Sequence, residues 1–155
     1  MDIFANPDLS SVKQLLSESG LPIEDITAQH LHHFFGTGSG LELEGLVGLE
    51  LYGDAALLRS LAVASPRRGT GVGSDLVAHA ERFARDQGVQ SLYLLTTTAE
   101  KFFLRRGYAR IPREEAPAAI KGTKEFSGIC PSSSAFMVKQ LMTMIDTPHP
   151  KGRII

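Results

Sequence analysis

The octapeptide Arg67-Arg68-Gly69-Thr70-Gly71-Val72-Gly73-Ser74 decides how the rest of the chain is read. It stands between an apolar β-like run at 55–65 and a helical pattern opening near Gly73. Where a strand hands over to a helix, backbone N–H groups converge and the helix dipole favours an anion. Glycines let the main chain approach phosphate oxygens without an intervening Cβ, and Arg68 adds a charge-assisted contact. A P-loop would need Gly-x4-Gly-Lys-Ser/Thr, and the stretch has no lysine. A dinucleotide fingerprint would need its third glycine at Ser74 and an acidic residue about 20 positions on, near Tyr93. A glycine-rich turn that merely joins strand to helix is the plain alternative.

Working outward, 46–51 and 57–63 are two apolar runs separated by Gly53-Asp54, which predicts an antiparallel hairpin. Pro66 stops its second strand, because proline cannot donate to a ladder. Downstream, Leu76, Val77, Ala80, Phe83 and Ala84 form the apolar stripe of a helix over about 73–87, ended by Gly88. The run 89–97 reads as a strongly β segment. AEKFFLRR reads as a second helix, ended by Gly107, and Tyr108-Ala-Arg-Ile as a strand closed by Pro112. Residues 113–125 read as a linker or short helix, 134–142 as a last strand, and 146–155 as a loose tail. Upstream, 8–19 reads as a helix capped by Asp8 or Ser10, while His33-Phe34-Phe35 could begin a strand. The order predicts an α/β (α+β) domain with a mixed sheet, and 155 residues suit one domain, 1–155.

Composition narrows the function classes. Sixteen Lys+Arg against 17 Asp+Glu give a net charge of −1, which disfavours nucleic acid and anionic membrane as partners. One cysteine excludes a disulfide scaffold. No apolar run reaches about 18 residues, and MDIFANPDLS has no charged segment followed by an apolar stretch, so a cytoplasmic protein is expected. His30, His32 and His33 lack a cysteine or acid at ligand spacing, so no metal is expected. Cys130 sits in a polar Pro/Ser segment away from any base, so a nucleophilic role is not expected.

Arg68-x-x-Gly71-x-Gly73, after Leu61-Ala62-Val63 and opening an amphipathic helix, resembles the acetyl-CoA loop of the GCN5-related N-acetyltransferase (GNAT) superfamily. The resemblance covers about 40–142. It implies a mixed central sheet splayed between its fourth and fifth strands, with flanking helices. It also implies that Arg68, Gly69, Thr70, Gly71, Val72, Gly73 and Ser74 hold the pyrophosphate of acetyl-CoA. Leu61, Ala62 and Val63 would then bind the pantetheine arm, and their main chain, Leu61 and Ala62 foremost, would polarise the acyl oxygen. Ala99, Phe102 and Phe103 would complete the cofactor site. LLRSLAVA and LYLLTTTAEKFFLRRGY are also similar to the acetyltransferase domain of N-acetylglutamate synthases. Leu57-Leu58-Arg59-Ser60-Leu61, Leu94-Leu95-Thr96-Thr97-Thr98-Ala99-Glu100 and the segment from Cys130-Pro131 to Ala135-Phe136-Met137 are similar to small arsenic-resistance N-acetyltransferases.

The chain departs from this family at one position. Many members carry Phe-Tyr-x-x-x-Gly-Phe, with the tyrosine as general acid, and this chain has Phe102-Phe103 through Gly107-Tyr108. Phe103 cannot donate a proton, so Thr97 is named as a catalytic candidate, with Thr96 and Thr98 beside it. Arg59 reads either as a clamp for a substrate carboxylate or as an ion-pair partner of Glu50 across the hairpin. Ser60 and Thr96 are placed with Arg59 on the substrate side. The expected activity is acetyl transfer to a small amine, foremost an amino acid or an arsenical or phosphinic analogue. The alternatives are a CoA-binding sensor without turnover and a polyamine or antibiotic acetyltransferase. An apolar last strand leaves a homodimer possible.

Overall fold

The computed structural model describes residues 2–39, 42–129 and 133–141; Cys130 and the tail 146–155 lie outside the described residues. The strands are β1 (Ile3–Ala5), β2 (Phe34–Gly38), β3 (Leu43–Tyr52), β4 (Ala55–Val63), β5 (Ser91–Thr96), β6 (Ala109–Arg110) and β7 (Ala135–Gln140). They form one sheet in the order β1-β2-β3-β4-β5-β7-β6. Every neighbouring pair is antiparallel except β4 and β5. The helices are α1 (Leu9–Glu18), α2 (Val72–Asp86), α3 (Glu100–Leu104) and α4 (Ala118–Lys121).

Alternation along the strands sends side chains to two layers. Leu49, Ala56, Leu58, Leu92, Leu94 and Met137 meet the α2 stripe of Val72, Leu76, Val77, Ala80 and Ala84. On the opposite face, Phe34, Leu46 and Ala62 pack under α1 through Val12, Leu15 and Leu16. Leu57 and Phe136 pack beneath Ile120 of α4 on that same face. Gly48 permits the α1 layer to close, because a Cβ there would stand 2.4 Å from the Phe34 ring.

Asp8 caps α1, accepting from the Ser11 amide at 3.0 Å. Gly53 turns the β3–β4 hairpin with φ +71, and Gly88 and Gly107 follow α2 and α3 with φ +91 and +93. β1 is a three-residue edge strand, too short for an alternation that the sequence would show. α3 is shorter than the helix expected over 99–106, since regular helix ends at Leu104. The connection 113–134 is a chain of short pieces: a 3-10 turn, α4, and a π-helical turn over Glu125–Ile129. β7, the apolar last strand of the sequence, lies inside the sheet and not at its edge. It pairs with β5 on one side and, at Met137 and Val138, with β6 on the other, which covers part of the flank a second copy would need. Among the described residues no helix is long and apolar enough to cross a membrane.

Candidate active site

The β4–β5 pair opens into a cleft. Their parallel pairing holds at Ala55↔Ser91, Ala56↔Leu92 and Leu57↔Tyr93 and then stops, although β4 continues to Val63 and β5 to Thr96. A bulge contributes to the separation. The β3–β4 register passes from Gly48↔Arg59 to Leu46↔Ala62, so Ser60 and Leu61 stand opposite Val47 alone. Ser60 takes a left-handed φ of +59, a conformation a side chain rarely adopts without surrounding support. The cleft of about 400 Å³ is lined by Leu58 to Leu61, by Leu94 to Ala99, by Phe103 and Ser134, and by the loop after α1. Facing strand edges without a ladder partner leave backbone donors and acceptors for a ligand to satisfy.

At the end of β4 the chain makes a 3-10 turn, Ser65–Arg67, and enters α2 through Gly71. Gly71 has φ +90 and Gly69 φ +79, with nothing within 4 Å of where their Cβ atoms would be. No side chain caps α2, so its first amides are presented without an internal acceptor from the N-cap position. Arg68 is exposed and its Nε donates to the Val63 carbonyl at 3.0 Å. Thr70 Oγ1 donates to the Arg67 carbonyl at 2.5 Å, tightening the same turn. Val72 is buried in the core, whereas Gly73 lies against the Phe102 ring. Ser74 Oγ is hydrogen-bonded by Arg106, whose guanidinium also stacks over Phe102 at 3.6 Å. That contact has no local sequence signal, since Arg105-Arg106 before Gly107 reads only as a helix end.

These features fit coenzyme A. The glycine turn offers main-chain donors at a helix start, and the unpaired edges of β4 and β5 can take an extended polar arm. Leu61, Ala99 and Phe103 line the cleft, Ala62 is buried under α1, and Val63 is half-buried beside Gly73. Phe102 stands outside the cleft lining, at the loop. Phe103 is 4% exposed and packs edge-on to Tyr108 at 5.3 Å. Tyr108 donates to Glu81 at 2.9 Å, with Lys139 on the other Glu81 oxygen at 3.0 Å. Burial and the Glu81 carboxylate push the Tyr108 phenol well above its ordinary range, so its proton is held in the core. Thr96 Oγ1 accepts from the Ala99 amide at 2.9 Å, fixing the turn into α3, while Thr97 and Thr98 are exposed on the cleft wall.

Arg59 is not the clamp for a substrate carboxylate that its sequence position allows; it is the ion-pair partner of Glu50, and of more besides. Its side chain is fully buried and meets three carboxylates: Asp25 at 2.5 and 2.8 Å, Glu50 at 2.6 Å and Glu125 at 3.1 Å. Its Nε donates to Ser60 Oγ at 3.0 Å. A guanidinium has five N–H groups, and these contacts use the whole fork. Arg59 therefore offers no open fork to a substrate carboxylate. It ties the loop after α1, the hairpin, the bulge and the 125–129 turn together behind the cleft. The Glu50 partner was readable across the hairpin; Asp25 and Glu125, 34 and 66 residues away in sequence, were not. Burial lowers the Arg59 guanidinium, but Asp25, Glu125 and Glu50 outweigh it and hold the charge. His30 brings one ring nitrogen within 4.8 Å of Asp25 and Glu50 oxygens, but both carboxylates are engaged by Arg59, and a metal ion there would have to displace the guanidinium.

Burial pushes the Glu125 carboxyl from 4.5 up to about 7, aided by Asp25, Glu50 and Glu24 and opposed by Arg59. Between those two values the folded chain holds a proton that the unfolded chain has released. Stability therefore falls as pH rises from 4.5 to about 7. Glu125→Gln is expected to flatten that decline, read as Tm against pH for both proteins. An unchanged slope in the variant would mean that Glu125 is already ionised across this range.

Comparison with known proteins agrees with this geometry. The family model described as "Acetyltransferase (GNAT) family" matches residues 9–108. An amino-acid acetyltransferase of Ralstonia nicotianae is 40% identical over 57 residues, 37% of this chain and 13% of that protein. An uncharacterized N-acetyltransferase of Chlorobaculum tepidum is 33% identical over 93 residues, 59% of each. The chain thus spans 13% and 59% of the length of these two relatives. N-acetylglutamate synthase from Neisseria gonorrhoeae, complexed with coenzyme A and N-acetyl-glutamate, superposes with a TM-score of 0.76 at 22% identity, covering 92% of this chain and 35% of that one. A Mycobacterium tuberculosis protein in complex with CoA and NLQ gives 0.73 at 20% identity, covering 92% and 100%. At these identities the likeness is one of fold.

Proposed function

The chain belongs to the acetyltransferase (GNAT) family, and from that premise we propose that it transfers an acetyl group from acetyl-CoA to the amine of a small molecule. The observation that carries the proposal is the β4–β5 cleft: two facing strand edges left unpaired beyond Leu57 and Tyr93, next to an uncapped helix start at Gly71. Acetyl-CoA, when bound, supplies a thioester whose acyl carbon is open to attack by a neutral amine. The α2 amides and the turn over 68–74 would hold the diphosphate, and the main chain at 61–63, just after the bulge, would donate to the acyl oxygen. Thr97 and Thr98, exposed on the wall, are the hydroxyls available to a departing thiolate.

The substrate class is an amino acid or an amino-acid analogue, arsenical and phosphinic analogues included. The 57-residue similarity to a named amino-acid acetyltransferase supports it. With the Arg59 fork engaged, a substrate carboxylate would meet the Ser60, Thr97 and Thr98 hydroxyls instead. One observation favours a second reading, a CoA-binding module without turnover: Phe103, at the position of the usual tyrosine, is buried and has no proton to give.

Amine-dependent release of CoA thiol separates the two. A panel of amino acids, phosphinic and arsenical analogues, polyamines and an aminoglycoside is expected to give turnover with one amino-acid-like member. Tight CoA binding with no turnover above hydrolysis on the whole panel would favour the non-catalytic module.

A further inference from the structure

The proposed chemistry does not use one group on the cleft wall. Ser134 is 4% exposed, it lines the cleft, and its Oγ is the single buried side-chain polar atom among the described residues without a hydrogen-bond partner. A buried hydroxyl with no partner costs stability, and natural chains keep few of them. Its main chain, by contrast, is fixed. The Ser134 carbonyl accepts from Arg113 at 3.1 Å, and the next residue, Ala135, pairs with Thr96 at the end of β5. The residue is thus fixed at the cleft lining, while its hydroxyl has its bonding capacity unspent.

The strand pattern places it on one side. Ala135 and Met137 belong to the layer under α2, whereas Phe136 belongs to the opposite layer with Leu57 and Ile120. With a period of two, Ser134 shares the Phe136 face. That face also carries Arg59, which ties down Asp25 of the loop after α1, and the same loop closes the cleft through Gly20, Leu21, Pro22 and Glu24. The glycine turn that would hold the diphosphate begins α2, on the other layer. Ser134 therefore lies where the amine, rather than the cofactor's long arm, approaches.

We propose that Ser134 is an amine-binding residue: its hydroxyl oxygen accepts one N–H of the attacking primary amine and turns the nitrogen lone pair toward the acyl carbon. The hydroxyl keeps its own proton throughout; no covalent bond to Ser134 forms. A side chain with three staggered χ1 positions can present its oxygen to a bound amine with little rearrangement. The inference rests on the acetyltransferase reading above, and its test separates the two.

The test is Ser134→Ala in the full chain, with steady-state kinetics for amine and acetyl-CoA and a thermal melt without ligand. Loss of one hydrogen bond made only with the amine predicts a fall of about tenfold in kcat/KM for the amine. CoA affinity should stay within about twofold, and Tm should be unchanged or higher, because an unpartnered buried polar atom has been removed. Ser134→Thr, which keeps the hydroxyl, should recover part of the amine term. Wild-type kinetics in Ser134→Ala would overturn the assignment, as would a loss confined to CoA affinity. A drop in Tm would also overturn it, since the hydroxyl would then serve the fold. If the wild-type chain acetylates no amine, the acetyltransferase reading fails and takes Ser134 with it; if only the variant comparison fails, that reading stands.

Discussion

Gly71→Glu is expected to weaken acetyl-CoA binding by at least about 100-fold, roughly 2.7 kcal/mol. Gly71 is the N-cap of α2 with φ +90, and the space where a Cβ would stand is open. The substitution therefore meets no packing neighbour, and the fold should survive with a backbone penalty of about 1–2 kcal/mol for a side chain in the left-handed region. The glutamate would place a carboxylate where the helix dipole and the first amides favour the diphosphate. Gly71→Ala carries the same backbone strain without the charge. It should lose far less affinity, which separates electrostatic exclusion from a distorted turn. Calorimetric titration of wild type and both variants reads the difference, and binding by Gly71→Glu within twofold of wild type would mean that the diphosphate lies elsewhere.

Arg59→Met is expected to be the most destabilising single substitution near the cleft. It leaves Asp25, Glu50 and Glu125 buried without their shared cation. Breaking a buried pair by removing one partner costs about 3–5 kcal/mol. For a chain of this size that is a loss of roughly 10 °C in Tm. Because Arg59 also holds Ser60 Oγ, the bulge and both walls on the amine side should loosen with it. Combining Arg59→Met with Asp25→Asn and Glu125→Gln should recover part of the loss, since two of the three stranded carboxylates are then neutral and only Glu50 is left. Chemical denaturation of the single and combined variants checks both statements. A single variant as stable as wild type would show that the three carboxylates do not depend on the guanidinium.

The parts of this fold that could be read from the chain are those written in local patterns. The hairpin around Gly53-Asp54, the α2 stripe and the Gly88 and Gly107 stops depend on residues within a few positions of each other. The structure places them as expected. The glycine loop between β4 and α2 was legible for the same reason. What could not be read depends on distance in sequence. Arg59 stood out as a charge inside an apolar strand, but its partners lie in the loop after α1 and in a π-helical turn with no periodic signature. Ser134 stands in a run of serines at the start of the last strand, and only its missing partner distinguishes it. The β1 strand, at Ile3–Ala5, is paired but too short to alternate.

One reaction asks whether the splayed β4–β5 cleft presents acetyl-CoA to a small amine. Wild-type chain, acetyl-CoA and the amine panel are mixed, and both products are counted by mass spectrometry. The predicted result is one acetylated amine formed for each CoA released, at a rate that saturates with a single amino-acid-like member of the panel. Release of CoA at the hydrolytic rate, with every amine recovered unmodified, would contradict it.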